Sequence, residues 1–190
     1  MRSASAGLLL AAGSGSRLGT PKALVDFHGE RLVDRGIRLL HDGGCHPVVV
    51  VLGAVTVQVR GAVAVRNPRW RTGMGSSLRV GLRALPDDVE RVVIALVDQP
   101  LIGPQVVERL IGAARDGASV AVATYDGERR NPVLIGREHF EEVAALATGD
   151  VGARPFLRAH PELVVEVPCD DIGDPADIDT PADLSALRAR

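Results

Sequence analysis

Gly7-Leu8-Leu9-Leu10-Ala11-Ala12-Gly13-Ser14-Gly15-Ser16-Arg17-Leu18-Gly19-Thr20-Pro21-Lys22 opens the readable part of the chain. An aliphatic run without polar alternation is the pattern of a strand covered on both faces, and three glycines then mark a sharp turn. Working outward, further apolar runs bounded by turn signals occur at 47–52, 62–65, 92–97, 118–124, 132–135 and 163–167. Segments with helical spacing lie between them at 31–42, 76–84, 104–115, 138–147, 152–158 and 181–190. This alternation predicts an α/β fold of three layers, a doubly wound, mostly parallel, Rossmann-like sheet. The stretch 55–60 stays open: Val55, Val57 and Val59 alternate like a strand where the topology asks for a short helix. Residues 1–13 have a faint signal-peptide character, but the apolar core is short and runs into the glycine loop, so it reads as the first strand.

A length of 190 residues fits one domain, 1–190. With 22 basic and 24 acidic residues the net charge is -2, which gives no electrostatic footprint for nucleic acid or a membrane surface. Aromatic residues are 3% of the chain, too few for a single-strand stacking platform. No apolar run approaches the ~20 residues of a membrane span. Cys45 and Cys169 stand far apart in no zinc-type spacing and read as reduced thiols, which suits a cytoplasmic protein.

In doubly wound folds ligands sit beyond the carboxyl ends of the strands, so the loops that follow strands are where chemistry is expected. The first of them offers backbone amides from glycines at 13, 15 and 19, together with Arg17 and Lys22, the sole lysine in the chain. Such a loop suits phosphate oxygens. It is not a Walker A loop, because Thr20 and Pro21 stand between Gly19 and Lys22. It also departs from a dinucleotide fingerprint: Pro21 interrupts the helix that should follow, and the second strand ends Leu52-Gly53-Ala54 without an acid.

The run from Leu10 to Leu24 resembles the N-terminal signature of nucleotidyltransferases that make nucleoside diphosphate conjugates, and within them the molybdenum cofactor nucleotidyltransferase branch. Further matches are Asn67-Pro68-Arg69-Trp70-Arg71-Thr72-Gly73-Met74-Gly75-Ser76-Ser77-Leu78, Leu96-Val97-Asp98-Gln99-Pro100, Asn131-Pro132-Val133-Leu134, Gly149-Asp150-Val151-Gly152-Ala153-Arg154 and Asp177-Ile178-Asp179-Thr180-Pro181. They follow in order along nearly the whole chain. The resemblance implies a nucleotide-diphospho-sugar transferase-like fold in which a substrate phosphate attacks the α-phosphorus of a nucleoside triphosphate and expels pyrophosphate.

That chemistry needs in-line geometry and charge compensation rather than a protein nucleophile. Lys22, Arg17 and Asp98 are the candidate catalytic residues: Lys22 for charge near the α-phosphate, Arg17 with the loop amides for the β and γ groups. Magnesium needs one or two carboxylates besides the triphosphate. Asp98 directly follows an apolar strand and is the first candidate ligand; the alternative is a turn or capping acid. Asp177 and Asp179 flank Ile178, so an extended backbone points both acids to one face. Either serves as the second metal ligand, Asp179 slightly favoured, or both simply cap the last helix.

By resemblance, Ala11, Ala12, Gly13, Ser14, Gly15, Ser16, Gly53, Gly75, Ser76 and Ser77 complete the nucleotide site, with both serines at a helix start. Ala12 before Gly13 resembles the cytidylyl branch, which points to CTP, with GTP as the alternative. The resemblance implies that Asn131, Asp150 and Arg154 face the acceptor. Arg130-Asn131-Pro132 departs from the Gly-His-Pro often found in that family, which leaves the acceptor's identity open. The implied acceptor is the molybdenum-bound pterin, giving a cytosine dinucleotide and a transient contact with a molybdenum hydroxylase of the xanthine dehydrogenase type. Alternatives are a guanylyltransferase, a transferase for another small phosphate or sugar phosphate, a non-catalytic cofactor chaperone, and a dinucleotide-dependent reductase.

Overall fold

The computed structural model describes residues 5–190, so the beginning of the stretch with signal-peptide character, residues 1–4, lies outside the described residues. In chain order the strands are β1 (Ser5–Ala11), β2 (Asp26–Phe27), β3 (Glu30–Arg31), β4 (Val48–Leu52), β5 (Val63–Arg66), β6 (Arg91–Leu96), β7 (Val120–Tyr125), β8 (Glu128–Gly136) and β9 (Val164–Pro168). The α-helices are α1 (Leu32–Asp42), α2 (Met74–Arg83), α3 (Pro104–Arg115), α4 (Phe140–Leu146), α5 (Arg154–Ala159) and α6 (Pro181–Arg188). Seven strands form one sheet in the order β5-β4-β1-β6-β8-β7-β9. All pairings are parallel except those of β8, which runs antiparallel to β6 and β7.

Every residue of β1 and β4 is buried, as the apolar sequence of β4 and of β1 after Ser5 requires. Successive β1 side chains enter opposite layers. Leu9 and Ala11 join a core cluster with residues of α1, α3 and α6, while Leu8 and Leu10 join a second with residues of α2, α4 and α5. Leu8 and Leu9 are wholly buried, each worth about 1.5–3 kcal/mol of transfer free energy. Register aligns Leu10 with both Val51 and Leu96, so β1, β4 and β6 end level and their following loops open on one edge.

Three features differ from the sequence reading. Residues 55–60 form neither strand nor helix; Val55, Val57 and Val59 pack against the first core cluster without a strand partner. A two-residue hairpin, β2 with β3, precedes α1 and is too short to leave a periodic signal. Strand β8 begins at Glu128, four residues before the apolar run, and pairs with β7 through a tight turn at Asp126 and Gly127, both at positive φ. The β7–β8 register passes from Val122↔Val133 to Ala123↔Arg130, which leaves Asn131 and Pro132 as a bulge.

Candidate active site

Past β1 the chain coils tightly: the Leu18 and Gly19 amides donate to the Gly15 carbonyl at 2.9 and 2.8 Å. Beyond this loop Lys22 donates to Asp98 Oδ2 and to Asp179 Oδ1, each at 2.6 Å. Arg17 Nη2 lies 3.0 Å from Asp179 Oδ2. Asp98 leaves the end of β6, and its carbonyl accepts the Ile178 amide at 2.9 Å, which ties the C-terminal segment to the sheet edge. Ile178 is wholly buried between the two acids. Helix α6 is capped by Thr180 and Asp183 in a reciprocal box, so Asp177 and Asp179 are not its caps.

Electrostatics follow from these contacts. Burial works to lower the Lys22 pKa, but the charges of Asp98 and Asp179 and hydrogen bonds to both outweigh it, leaving the ammonium above its ordinary value. Asp179 is held below the usual carboxylate range by its hydrogen bond from Lys22. Asp177 moves the other way, raised by desolvation and by the negative charge of Asp98 and Asp179. Asp98 Oδ1 is buried with no hydrogen-bond partner. A desolvated anionic oxygen beside a second carboxylate is a fitting pair of hard ligands for a divalent cation. Among the described residues no three His, Cys, Asp or Glu side chains converge on one point, so such a cation needs substrate oxygens to complete its shell.

Two adjoining cavities open at this edge. One, of about 480 Å³, is lined by residues 12–17, Lys22, Asp98 and Asp179 together with Trp70, Arg71, Met74 and Ser77. The second, of about 270 Å³, has a floor of Leu78, Ile94, Val122 and Val133 and a rim of Arg129, Arg130, Asn131, Arg154, Arg158 and Asp177. Leu10, Leu96, Met74 and Asp150 line both. Asp177 and Asp179 therefore face different cavities, unlike the shared face expected from an extended backbone. Arg129 is committed to Glu166 at 2.7 Å, whereas Arg130, Arg154 and Arg158 have no carboxylate partner among the described residues.

The partition between the cavities is the N-terminus of α2. Gly73 precedes it at φ +109°, and a Cβ there would fall 2.4 Å from the Gly149 carbonyl. The Gly75 amide donates to that carbonyl at 2.8 Å, and the Met74 amide donates to Asp150 Oδ1 at 3.2 Å. The helix starts two residues before Ser76, whose hydroxyl donates to the Gly73 carbonyl at 2.9 Å. Buried Asn67 donates to Ser76 Oγ and Ser77 Oγ at 2.8 and 2.9 Å.

Of the residues expected from sequence, Ala12, Gly13, Ser14, Gly15, Ser16, Arg17, Lys22, Ser77, Asp98, Asp150 and Asp179 line the larger cavity, and Asn131, Asp150, Arg154 and Asp177 line the smaller. Ala11, Gly53, Gly75 and Ser76 line neither. Gly53 supports the site from behind, since a Cβ there would fall 2.5 Å from Trp70 Cβ. Trp70, Arg71, Arg130 and Arg158 were not singled out from sequence as site residues. Arginine is common in this chain, and only Trp70, the sole tryptophan, carried a signal.

Comparison with known proteins agrees with this geometry. Residues 7–164 match the family described as MobA-like NTP transferase domain. The stretch that carries Asp177 and Asp179 lies beyond that match. The chain is 39% identical over 187 residues to a protein named nicotine blue oxidoreductase from Paenarthrobacter nicotinovorans, covering 92% of this chain and 91% of the relative. It is 32% identical over 127 residues to a probable molybdenum cofactor guanylyltransferase of Opitutus terrae, covering 66% of this chain and 63% of that one. Among solved structures, Rv0371c of Mycobacterium tuberculosis superposes with a TM-score of 0.86 at 26% identity, covering both chains completely. A manganese complex of Rv0371c superposes at 0.79 with 25% identity, again over the whole of both chains.

Proposed function

The chain belongs to the family of MobA-like NTP transferase domains, and on that premise we propose that residues 1–190 act as one domain that transfers CMP from CTP to a phosphorylated acceptor. The observation that carries the reading is the Asp98–Lys22–Asp179 arrangement where the two cavities meet. One cavity holds the triphosphate, the other the acceptor. A phosphate oxygen of the acceptor forms the new bond to the α-phosphorus, and the bond from the α-phosphorus to the bridging oxygen breaks as pyrophosphate leaves. The attacking oxygen is already ionised at neutral pH, so no general base is required. Lys22 meets charge developing at the α-phosphate, while Arg17 and the 13–19 loop amides hold the departing groups. Asp98 and Asp179 would hold the magnesium ion, with Asp177 the further candidate carboxylate, and the ion would offset phosphoryl charge when bound.

The smaller cavity supports an acceptor with an apolar body and an anionic head, since an aliphatic floor meets the unpaired Arg130, Arg154 and Arg158. Asn131, carried to the rim by the β8 bulge, and Asp150 supply orienting polar groups. The molybdenum-bound pterin offers flat ring faces to the aliphatic floor, polar ring edges to Asn131 and Asp150 and a phosphate to the arginines, and the Opitutus relative's name supports it. Delivery of the product to a molybdenum hydroxylase of the xanthine dehydrogenase type, in the cytoplasm, completes the reading. Cys45 and Cys169 are free and buried, in keeping with reduced thiols.

A second reading, reduction by a nicotinamide dinucleotide, is favoured by the name of the Paenarthrobacter relative. A thermal-shift titration with CTP, GTP, ATP and NADPH, with and without magnesium, separates the two. A ligand at a hundredfold its Kd adds about 2.7 kcal/mol, a rise of roughly 5–10 °C for a chain of this size. Magnesium-dependent stabilisation by CTP above GTP is expected; a response to NADPH alone replaces the transferase with a reductase. Lys22→Ala and Asp98→Ala should each lower pyrophosphate release by about a hundredfold or more, with far-ultraviolet circular dichroism unchanged. Wild-type rates in either variant remove the mechanism.

A further inference from the structure

The charge in the larger cavity is already spent. Asp98 and Asp179 engage Lys22, and Asp179 also engages Arg17. Asp150 faces the same space with one oxygen on the Met74 amide. Three cations against three carboxylates balance, so before a metal binds the protein brings no surplus charge to a ligand that carries three or four negative charges. Arg71 alone of those cations has no carboxylate partner among the described residues. Its guanidinium carbon lies 4.6 Å from the centroid of the Trp70 ring. Trp70 in turn is seated against Gly53 at the end of β4, where no side chain would fit.

A guanidinium held over an indole face keeps N–H edges available, and arginine uses such an edge for two parallel hydrogen bonds to phosphate oxygens. An arginine held in advance loses less side-chain entropy on binding than a free one. We propose that Arg71, positioned by Trp70, binds the nucleotide's polyphosphate in the cavity it shares with Arg17 and Lys22. The inference rests on the transferase reading and adds to it a phosphate contact from a residue just before α2.

Isothermal titration calorimetry with CTP, CDP, CMP and inorganic pyrophosphate, each with magnesium, tests it on wild type, Arg71→Ala, Arg71→Lys and Trp70→Ala. Loss of a charge-assisted contact predicts that Arg71→Ala weakens CTP and pyrophosphate by about tenfold or more, with CDP intermediate and CMP within about twofold. Arg71→Lys keeps the charge without the fork and recovers part of the loss. Trp70→Ala leaves the charge unheld and falls between wild type and Arg71→Ala. Equal losses for all nucleotides mark a base or folding role, and unchanged affinities mark a solvated surface cation; either overturns the inference while the transferase reading stands. A wild-type protein that binds no triphosphate removes both.

Discussion

Asp177 and Asp179 are two residues apart and are displaced in opposite directions, the first upward by desolvation and its acidic neighbours, the second downward by Lys22. Asp179 therefore contributes stability that is present above the ordinary carboxylate value of 3.8 and lost as pH falls through its lower folded value. Asp177 has the reverse sign. Its folded pKa is raised, so the carboxylate costs stability at neutral pH, and the cost fades as pH falls through that raised value and is gone below 3.8. A residue retained at a cost to folding is one expected to serve binding. Asp177→Asn should raise the thermal midpoint by about 1–3 °C at pH 7, with the advantage vanishing in acid, and should blunt the response to magnesium with CTP. Scanning calorimetry at pH 7 and pH 3.5 checks it; a lower midpoint at pH 7 means that the Gln99 hydrogen bond and the Lys22 charge outweigh desolvation at Asp177. At this scale Lys22 and Asp98 were legible because they follow strands. Arg71, Arg130 and Arg158 were not, since what distinguishes them is the absence of a partner.

Among the elements, α2 separates the two cavities, and its first turn depends on contact between backbones. Gly73 and Gly75 admit the 147–152 segment to within hydrogen-bond distance, and a Cβ at Gly75 would fall 2.7 Å from the Ala147 carbonyl. Gly73→Ala adds a methyl to a position at φ +109° and directs it at main chain that cannot rotate away. Positive-φ strain costs about 1–3 kcal/mol, so the midpoint should fall by roughly 3–10 °C. Because Met74 and Asp150 line both cavities, affinities for CTP and acceptor should fall together. Calorimetric titration with each ligand decides: an effect confined to one makes the two sites independent. Most elements could be placed from apolar runs alone, and the predicted helix 104–115 matches α3. Strand β8 was read short because Glu128, Arg129 and Arg130 occupy an exposed half-strand with no apolar face to signal it. The turn at Asp126 and Gly127 was the available cue, since that dipeptide favours the positive φ of a two-residue hairpin.

For the whole molecule, the decisive contacts join segments that local sequence cannot relate. Lys22 and Asp179 are 157 positions apart, yet one hydrogen bond links them. The parallel sheet brings Asp98 beside the loop after β1, a placement legible from topology. What returns the chain end to them is Ile178, buried in the cluster beneath α1 and α3 and bonded through its amide to Asp98. The sequence marked that stretch by its acids, whereas the anchor is the apolar residue between them. Ile178→Ala removes buried volume and typically costs 2–5 kcal/mol, which lowers the midpoint by roughly 5–15 °C. It also loosens Asp177 and Asp179 without touching either, so magnesium-dependent stabilisation by CTP should weaken more than binding of CTP without metal. Parallel thermal-shift series with and without magnesium measure this. A large fall in midpoint with an unchanged magnesium increment would show the acids held by Lys22 and Arg17 alone, leaving Ile178 a core residue with no hold on the site.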